Sequence, residues 1–97
     1  MSPTFHLEPR FERDLEGLSP QQRETLERAV AKFIDGLRSG QMPRGLRVKG
    51  VQGAPGVFEL SWAPDGRATF SFGNEVTKGE AHVIWRRVGT HAILGQP

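Results

Sequence analysis

The chain has 97 residues, no cysteine and a formal net charge of +2. This length makes one domain with a modest core, and the missing thiols exclude a disulfide framework and a thiolate metal site. No apolar run approaches the roughly 20 residues that span a bilayer, and MSPTFHLEPR lacks the basic-then-apolar order of a secretory signal. The expected compartment is the cytoplasm, with no membrane partner. Residues 1–43 carry six Arg/Lys against seven Asp/Glu, and residues 44–97 carry seven against four. A positive second half suits a polyanionic partner, and equally an ordinary solvated surface.

Residues 4–7 form a short extended candidate, ended by Pro9. Phe11, Leu15 and Leu18 recur at spacings of four and three, which predicts a short helix over residues 10–18. Ser19, Pro20 and Gln22 supply an N-cap, a first-turn proline and a capping box for a second helix. Its apolar face is Leu26, Ala29, Val30, Phe33, Ile34 and Leu37, and Gly40 stops it. The polar face holds Arg23, Glu24, Glu27, Arg28 and Lys32. A link this short predicts that the two helices pack as a helical hairpin.

Beyond Pro43 the period changes. Residues 45–50 (GLRVKG) alternate, with Leu46 and Val48 inward and Arg47 and Lys49 outward. Residues 57–72 (VFELSWAPDGRATFSF) alternate on both sides of a Pro-Asp-Gly turn, in which glycine would take φ > 0. Phe58, Leu60, Trp62, Ala68, Phe70 and Phe72 share one face of this hairpin, and Glu59 and Arg67 project from the other. Residues 81–89 (AHVIWRRVG) form a last strand of ambiguous phase: Val83 and Trp85 lie on one face, Ile84 and Val88 on the other. Apolar residues on both faces suit an interior strand. The tail from Thr90 has no predicted element. The expected fold is α+β, a helical hairpin on one face of a small antiparallel sheet whose opposite face is open and polar.

This order and several short motifs resemble the RelE/ParE superfamily of type II toxin–antitoxin toxins, on its RelE-like side. The motifs are LRVKG after the helices, Gly56-Val57-Phe58-Glu59-Leu60, Gly66-Arg67-Ala68-Thr69-Phe70 and the final Val88-Gly89-Thr90-His91. The resemblance covers nearly the whole chain. It implies an endoribonuclease that cleaves mRNA, commonly in the ribosomal A site, without metal or other cofactor, and an antitoxin partner encoded next to it. In such enzymes the 2′-hydroxyl attacks the adjacent phosphate, a base takes its proton, cations stabilise the phosphorane and an acid protonates the 5′-oxygen.

Arg67 falls where the family places a phosphate-binding arginine, whose guanidinium grips two phosphate oxygens and opposes developing charge. His91 falls where relatives place histidine or arginine, and an imidazole exchanges protons near neutral pH as base or acid. Glu59 is either a base or the partner of Arg67 or Lys49 in a cross-strand ion pair. Arg47, Lys49 and Arg86 are the candidate RNA-phosphate contacts, with Arg86 favoured over Arg87 for the open face because neighbours on a strand point oppositely. His6 and His82 have weaker claims, and no His, Asp and Glu trio has metal-ligand spacing. Trp62 and Trp85 are read as core. The best-known mRNA-cleaving members carry a lysine pair where this chain has Glu59 and Ser61, and several use a C-terminal tyrosine, which this chain lacks. These departures keep two rivals open: a non-enzymatic ParE-like inhibitor of DNA gyrase, and a catalytically inactive binding module.

Overall fold

The computed structural model describes residues 2–97. The elements in chain order are β1 (Thr4–Leu7), α1 (Pro9–Glu16), α2 (Pro20–Ser39), β2 (Lys49–Gly50), β3 (Phe58–Ser61), β4 (Gly66–Gly73) and β5 (His82–Thr90). Two 3₁₀ turns, Arg44–Leu46 and His91–Gly95, precede β2 and follow β5. The strands form one sheet in the order β1-β5-β4-β3-β2. The fold is α+β as expected, but the sheet is mixed: β1 runs parallel to β5, and the other pairs are antiparallel. A parallel edge strand becomes possible because α1 and α2 supply a long crossover between β1 and its partners.

The long helix begins as its cap predicts. Ser19 Oγ accepts from the Gln22 N–H, and Gln22 Oε1 accepts from the Ser19 N–H, at 3.1 and 2.8 Å. It ends at Gly40, which takes φ 76° and donates its N–H to the Gly36 carbonyl. Phe11, Leu26, Ala29 and Phe33 from the helices meet Leu60, Ala68, Phe70, Val83, Trp85 and Val88 from the sheet and Trp62 from the hairpin bend. At the centre the Phe33 ring lies 4.8 Å from Phe70 and 5.4 Å from Trp85, centroid to centroid. Both tryptophans are buried and belong to this core.

The ambiguous phase of β5 has a local cause. Thr69 lies opposite Arg87 while Phe70 lies opposite Trp85, so Arg86 is the extra residue of a β-bulge. The bulge shifts the phase, and Val83, Trp85 and Val88 all become buried. Strict alternation between Arg86 and Arg87 therefore does not apply.

Three further local expectations are corrected. Residues 44–46 are a 3₁₀ turn rather than strand, and Arg47 sits in the left-handed region at φ 50°, leaving only Lys49–Gly50 to pair with β3. Gly66 does not have positive φ. Glycine fits there because an added Cβ would lie 2.6 Å from the Trp62 ring. The sheet face away from the helices is not simply open, because the segment after β5 folds back across it.

Beside α1 the sheet is completed by a side chain. β1 pairs with β5 only as far as Trp85. Past that point the Val88 N–H donates to Asp14 Oδ2 at 3.1 Å, and Arg87 donates to both Asp14 oxygens at 2.8 and 3.1 Å. Burial alone would raise the Asp14 pKa. The hydrogen bonds from Arg87 and Val88, with the charges of Arg87 and Arg10, outweigh burial and hold it below the usual value. The same hydrogen bond pushes the Arg87 pKa up.

Candidate active site

The sheet face away from the helices is built by register. Lys49 lies opposite Glu59, Glu59 opposite Thr69 and Thr69 opposite Arg87, one row across four strands. The next row toward the hairpin is Ser61, Arg67 and Gly89. Glu59 is buried at 6% exposure, and its Oε1 lies 3.7 Å from Arg67 Nε. The pair spans a diagonal between adjacent strands, as a carboxylate and a guanidinium can.

The turn at residues 63–66 organises the site. Arg67 Nη1 donates to the carbonyls of Gly66, Pro64 and Ala63 at 2.9, 3.3 and 3.5 Å. The remaining carbonyl, of Asp65, accepts the His91 N–H at 2.8 Å. One short turn thus fixes both the arginine side chain and the backbone of the histidine. Among the described residues Arg67 Nη2 makes no hydrogen bond. The His91 ring is exposed, at the start of the 3₁₀ turn that Thr90 caps through its Oγ1.

The tail roofs the neighbouring part of this face. Thr69 Oγ1 and Arg86 Nε both donate to the main-chain oxygen of Pro97 at 3.1 Å. Arg10 Nη2 and Arg87 Nη1 donate to the Gln96 carbonyl at 2.7 and 3.3 Å. Thr69 is completely buried beneath this segment.

The predicted residues therefore fall into three places. Arg67, Glu59 and the His91 backbone converge on the hairpin, with Lys49 one strand out from Glu59 and exposed. Arg86 lies on the same face under the tail. Arg47 stands apart, in a groove that it lines with Arg67 and with Arg28 and Lys32 of α2. The sequence reading missed those two α2 cations, because an alternating-charge helix face reads as solvated. The available signal was their i,i+4 spacing on a face bordering the hairpin. His6 is exposed on β1, and His82 Nδ1 is engaged by the Thr4 hydroxyl at 2.7 Å. Among the described residues no group of three or more His, Cys, Asp or Glu could hold a metal ion, and no helix is long and apolar enough to cross a membrane.

No protein-family model matches the sequence, and no curated protein matches it either. Solved structures do. A chain of the Escherichia coli DinJ–YafQ toxin–antitoxin complex superposes with a TM-score of 0.68 at 18% identity, over 97% of this chain and 98% of that one. YafQ from E. coli strain BL21(DE3) gives 0.63 at 16% identity over 95% and 97%. A chain of the RelB–RelE antitoxin–toxin complex from Methanococcus jannaschii gives 0.61 at 16% identity over 92% and 93%. This is the RelE/YafQ toxin fold. At these identities the likeness speaks for architecture, and the chemistry rests on the residues of this chain.

Proposed function

We propose that this protein is the toxin of a type II toxin–antitoxin pair, an endoribonuclease that cuts mRNA in the cytoplasm, in association with the ribosome. The observation that carries this reading is the turn at 63–66, which holds Arg67 and the backbone of His91 side by side. Arg67 Nη2 binds the scissile phosphate, while Nη1 and Nε stay fixed by the turn and by Glu59. A guanidinium already held in place opposes charge developing on the phosphorane without reorganising. The substrate's 2′-oxygen attacks the adjacent phosphorus, its proton passes to a base, and the 5′-oxygen leaves with a proton from an acid. His91 and Glu59 are the groups at this place able to move those protons. Lys49, Arg47 and Arg86 hold flanking phosphates. The cognate partner is an antitoxin, as in the solved complexes that share the fold.

The tied guanidinium supports a second reading as well. An arginine satisfied by three carbonyls and a carboxylate also suits a catalytically inactive binding module. Induced expression in a bacterial host, with growth followed and primer extension run on abundant mRNAs, separates the two. Discrete in-frame cuts with growth arrest are the expected result. Arrest with intact mRNA would move the target elsewhere, DNA gyrase included, and normal growth would leave the binding module.

A further inference from the structure

Between α2 and the hairpin lies an open groove of about 700 Å³. Arg28 and Lys32 of α2, Arg47 and Arg67 line it, and among the described residues no carboxylate does. The rest of the lining is largely apolar, with Leu46, Trp62, Pro43 and Pro64 among it. Arg28 has the weakest of ties: Nη1 is 3.6 Å from Glu24 Oε1, with both side chains about two-thirds exposed, and Nη2 is 3.4 Å from the Thr25 hydroxyl. An exposed pair of this kind contributes little and yields to a stronger anion. Lys32 and Arg47 make no ion pair among the described residues.

Arg47 adds an independent sign. It is the only non-glycine residue with positive φ among those described. An arginine gains nothing intrinsic from the left-handed region, and such outliers gather where a ligand is held. The conformation carries a cationic side chain to the rim of the groove.

We propose that this groove is a second RNA site, which takes the phosphate backbone of the single strand running past Arg67. The inference rests on the nuclease reading for its substrate class, and it adds Arg28 and Lys32 of α2 to the cations already named for that reading. Arg28 and Lys32, one helical turn apart, have Cβ atoms about 6 Å apart on one helix face, and Arg67 lines the same groove. Cations set around a largely apolar lining suit successive phosphates with a base resting between them.

The test is fluorescence anisotropy of the purified chain with a short single-stranded RNA, 2′-O-methylated throughout so that it cannot be cut, over a range of salt. Arg28→Gln, Lys32→Gln and Arg47→Asn are measured singly, asparagine being chosen because it tolerates the left-handed region. Each should flatten the slope of log K against log salt by about 0.7 and weaken binding several-fold at low salt. Lys78→Gln, on the exposed loop before β5, should change neither. Groove variants that bind like the parent, a Lys78 variant that loses as much as they do, or a parent that binds polyglutamate but not RNA would each overturn the proposal. Cleavage of unmodified RNA is scored separately. Groove-dependent binding without cleavage would sink the nuclease reading alone, and cleavage with groove-independent binding would sink the groove alone.

Discussion

Replacing Asp14 by alanine removes a carboxylate that accepts three hydrogen bonds, from Arg87 Nε, Arg87 Nη2 and the Val88 N–H. The Val88 N–H then faces the place where β1 has already ended, with no strand to receive it. Arg87 keeps only the Gln96 carbonyl, at 3.3 Å. Hydrogen bonds to a charged partner are each worth about 1.5–3 kcal/mol when intact, and losses at one site do not add. The two side chains are about one-fifth exposed, which lets water recover part of the loss. The expected cost is about 2–3 kcal/mol, a large share of the 5–15 kcal/mol typical of such domains. Thermal and urea unfolding followed by circular dichroism should show a fall in Tm of roughly 10–20 °C. Asp14→Asn, which keeps an acceptor oxygen, should lose about half as much.

The pH dependence has a definite sign. Asp14 is held below its ordinary pKa in the folded chain, so its contribution is present in full above the unfolded value, near 3.9. It disappears as the pH falls through the folded pKa. The gap between parent and Asp14→Ala should therefore be constant from about pH 5 to 8 and close in stronger acid. A loss under about 0.5 kcal/mol at neutral pH, or a gap that widens in acid, would refute the account of the Asp14–Arg87 contact.

Gly66→Ala puts a methyl group 2.6 Å from the Trp62 ring; it should cost about 1–3 kcal/mol by overpacking, read from urea midpoints. Arg67→Ala should keep the fold, lower stability by about 1–2 kcal/mol through the lost turn contacts, and cut cleavage at least 100-fold in a primer-extension assay. A folded variant with full toxicity would take Arg67 out of the site. His91→Gln leaves the backbone bond to Asp65 untouched, so stability should stay within about 0.5 kcal/mol while cleavage falls roughly 100-fold or more; an unchanged rate would end the catalytic role of the ring. Thr69→Val removes one of the two donors to the main-chain oxygen of Pro97. Amide exchange across residues 91–97 should speed up at a cost near 1 kcal/mol, and unchanged exchange would mean that Arg86, Arg10 and Arg87 seat the tail without Thr69.

What could be read in advance was what depends on period and on local chemistry. The Ser19–Gln22 capping box, the apolar stripe of α2 and the two aromatic strands of the hairpin each rest on spacing within one element, and they appear as expected except that Phe72, near the end of its strand, is 48% exposed rather than in the core. The α+β class follows from the order of those elements. The misreadings are contacts between elements. Nothing local says that Arg86 is a bulge, because the register change is set by pairing with β4. Gly66 looked like a turn glycine and is instead a close-approach glycine, which only the position of Trp62 reveals. The apparent alternation at 45–50 gave way because Leu46 reaches the core from a 3₁₀ turn just as well as from a strand. The joint hold of the turn on Arg67 and His91 could not be seen either, since it joins residues that are 24 positions apart in the chain.

The two faces of the sheet explain why the candidate chemistry lies where it does. The helix side is filled by interlocked aromatic rings, and a charged group there would lose its water without compensation. The other side has only the short tail above it, so charges can stay partly wet and still be fixed by backbone carbonyls. Arg67, Arg86, Arg10 and Arg87 all donate to main-chain oxygens of the hairpin turn or the tail. Backbone carbonyls hold a guanidinium in position without cancelling its charge, whereas the close two-oxygen contact with Asp14 neutralises Arg87. An arginine needed to meet an incoming phosphate is better held by carbonyls than by carboxylates. By that criterion Arg67, held by three carbonyls with its one carboxylate 3.7 Å away and Nη2 free, is the cation on this face best prepared for RNA, and Arg87 is committed to structure.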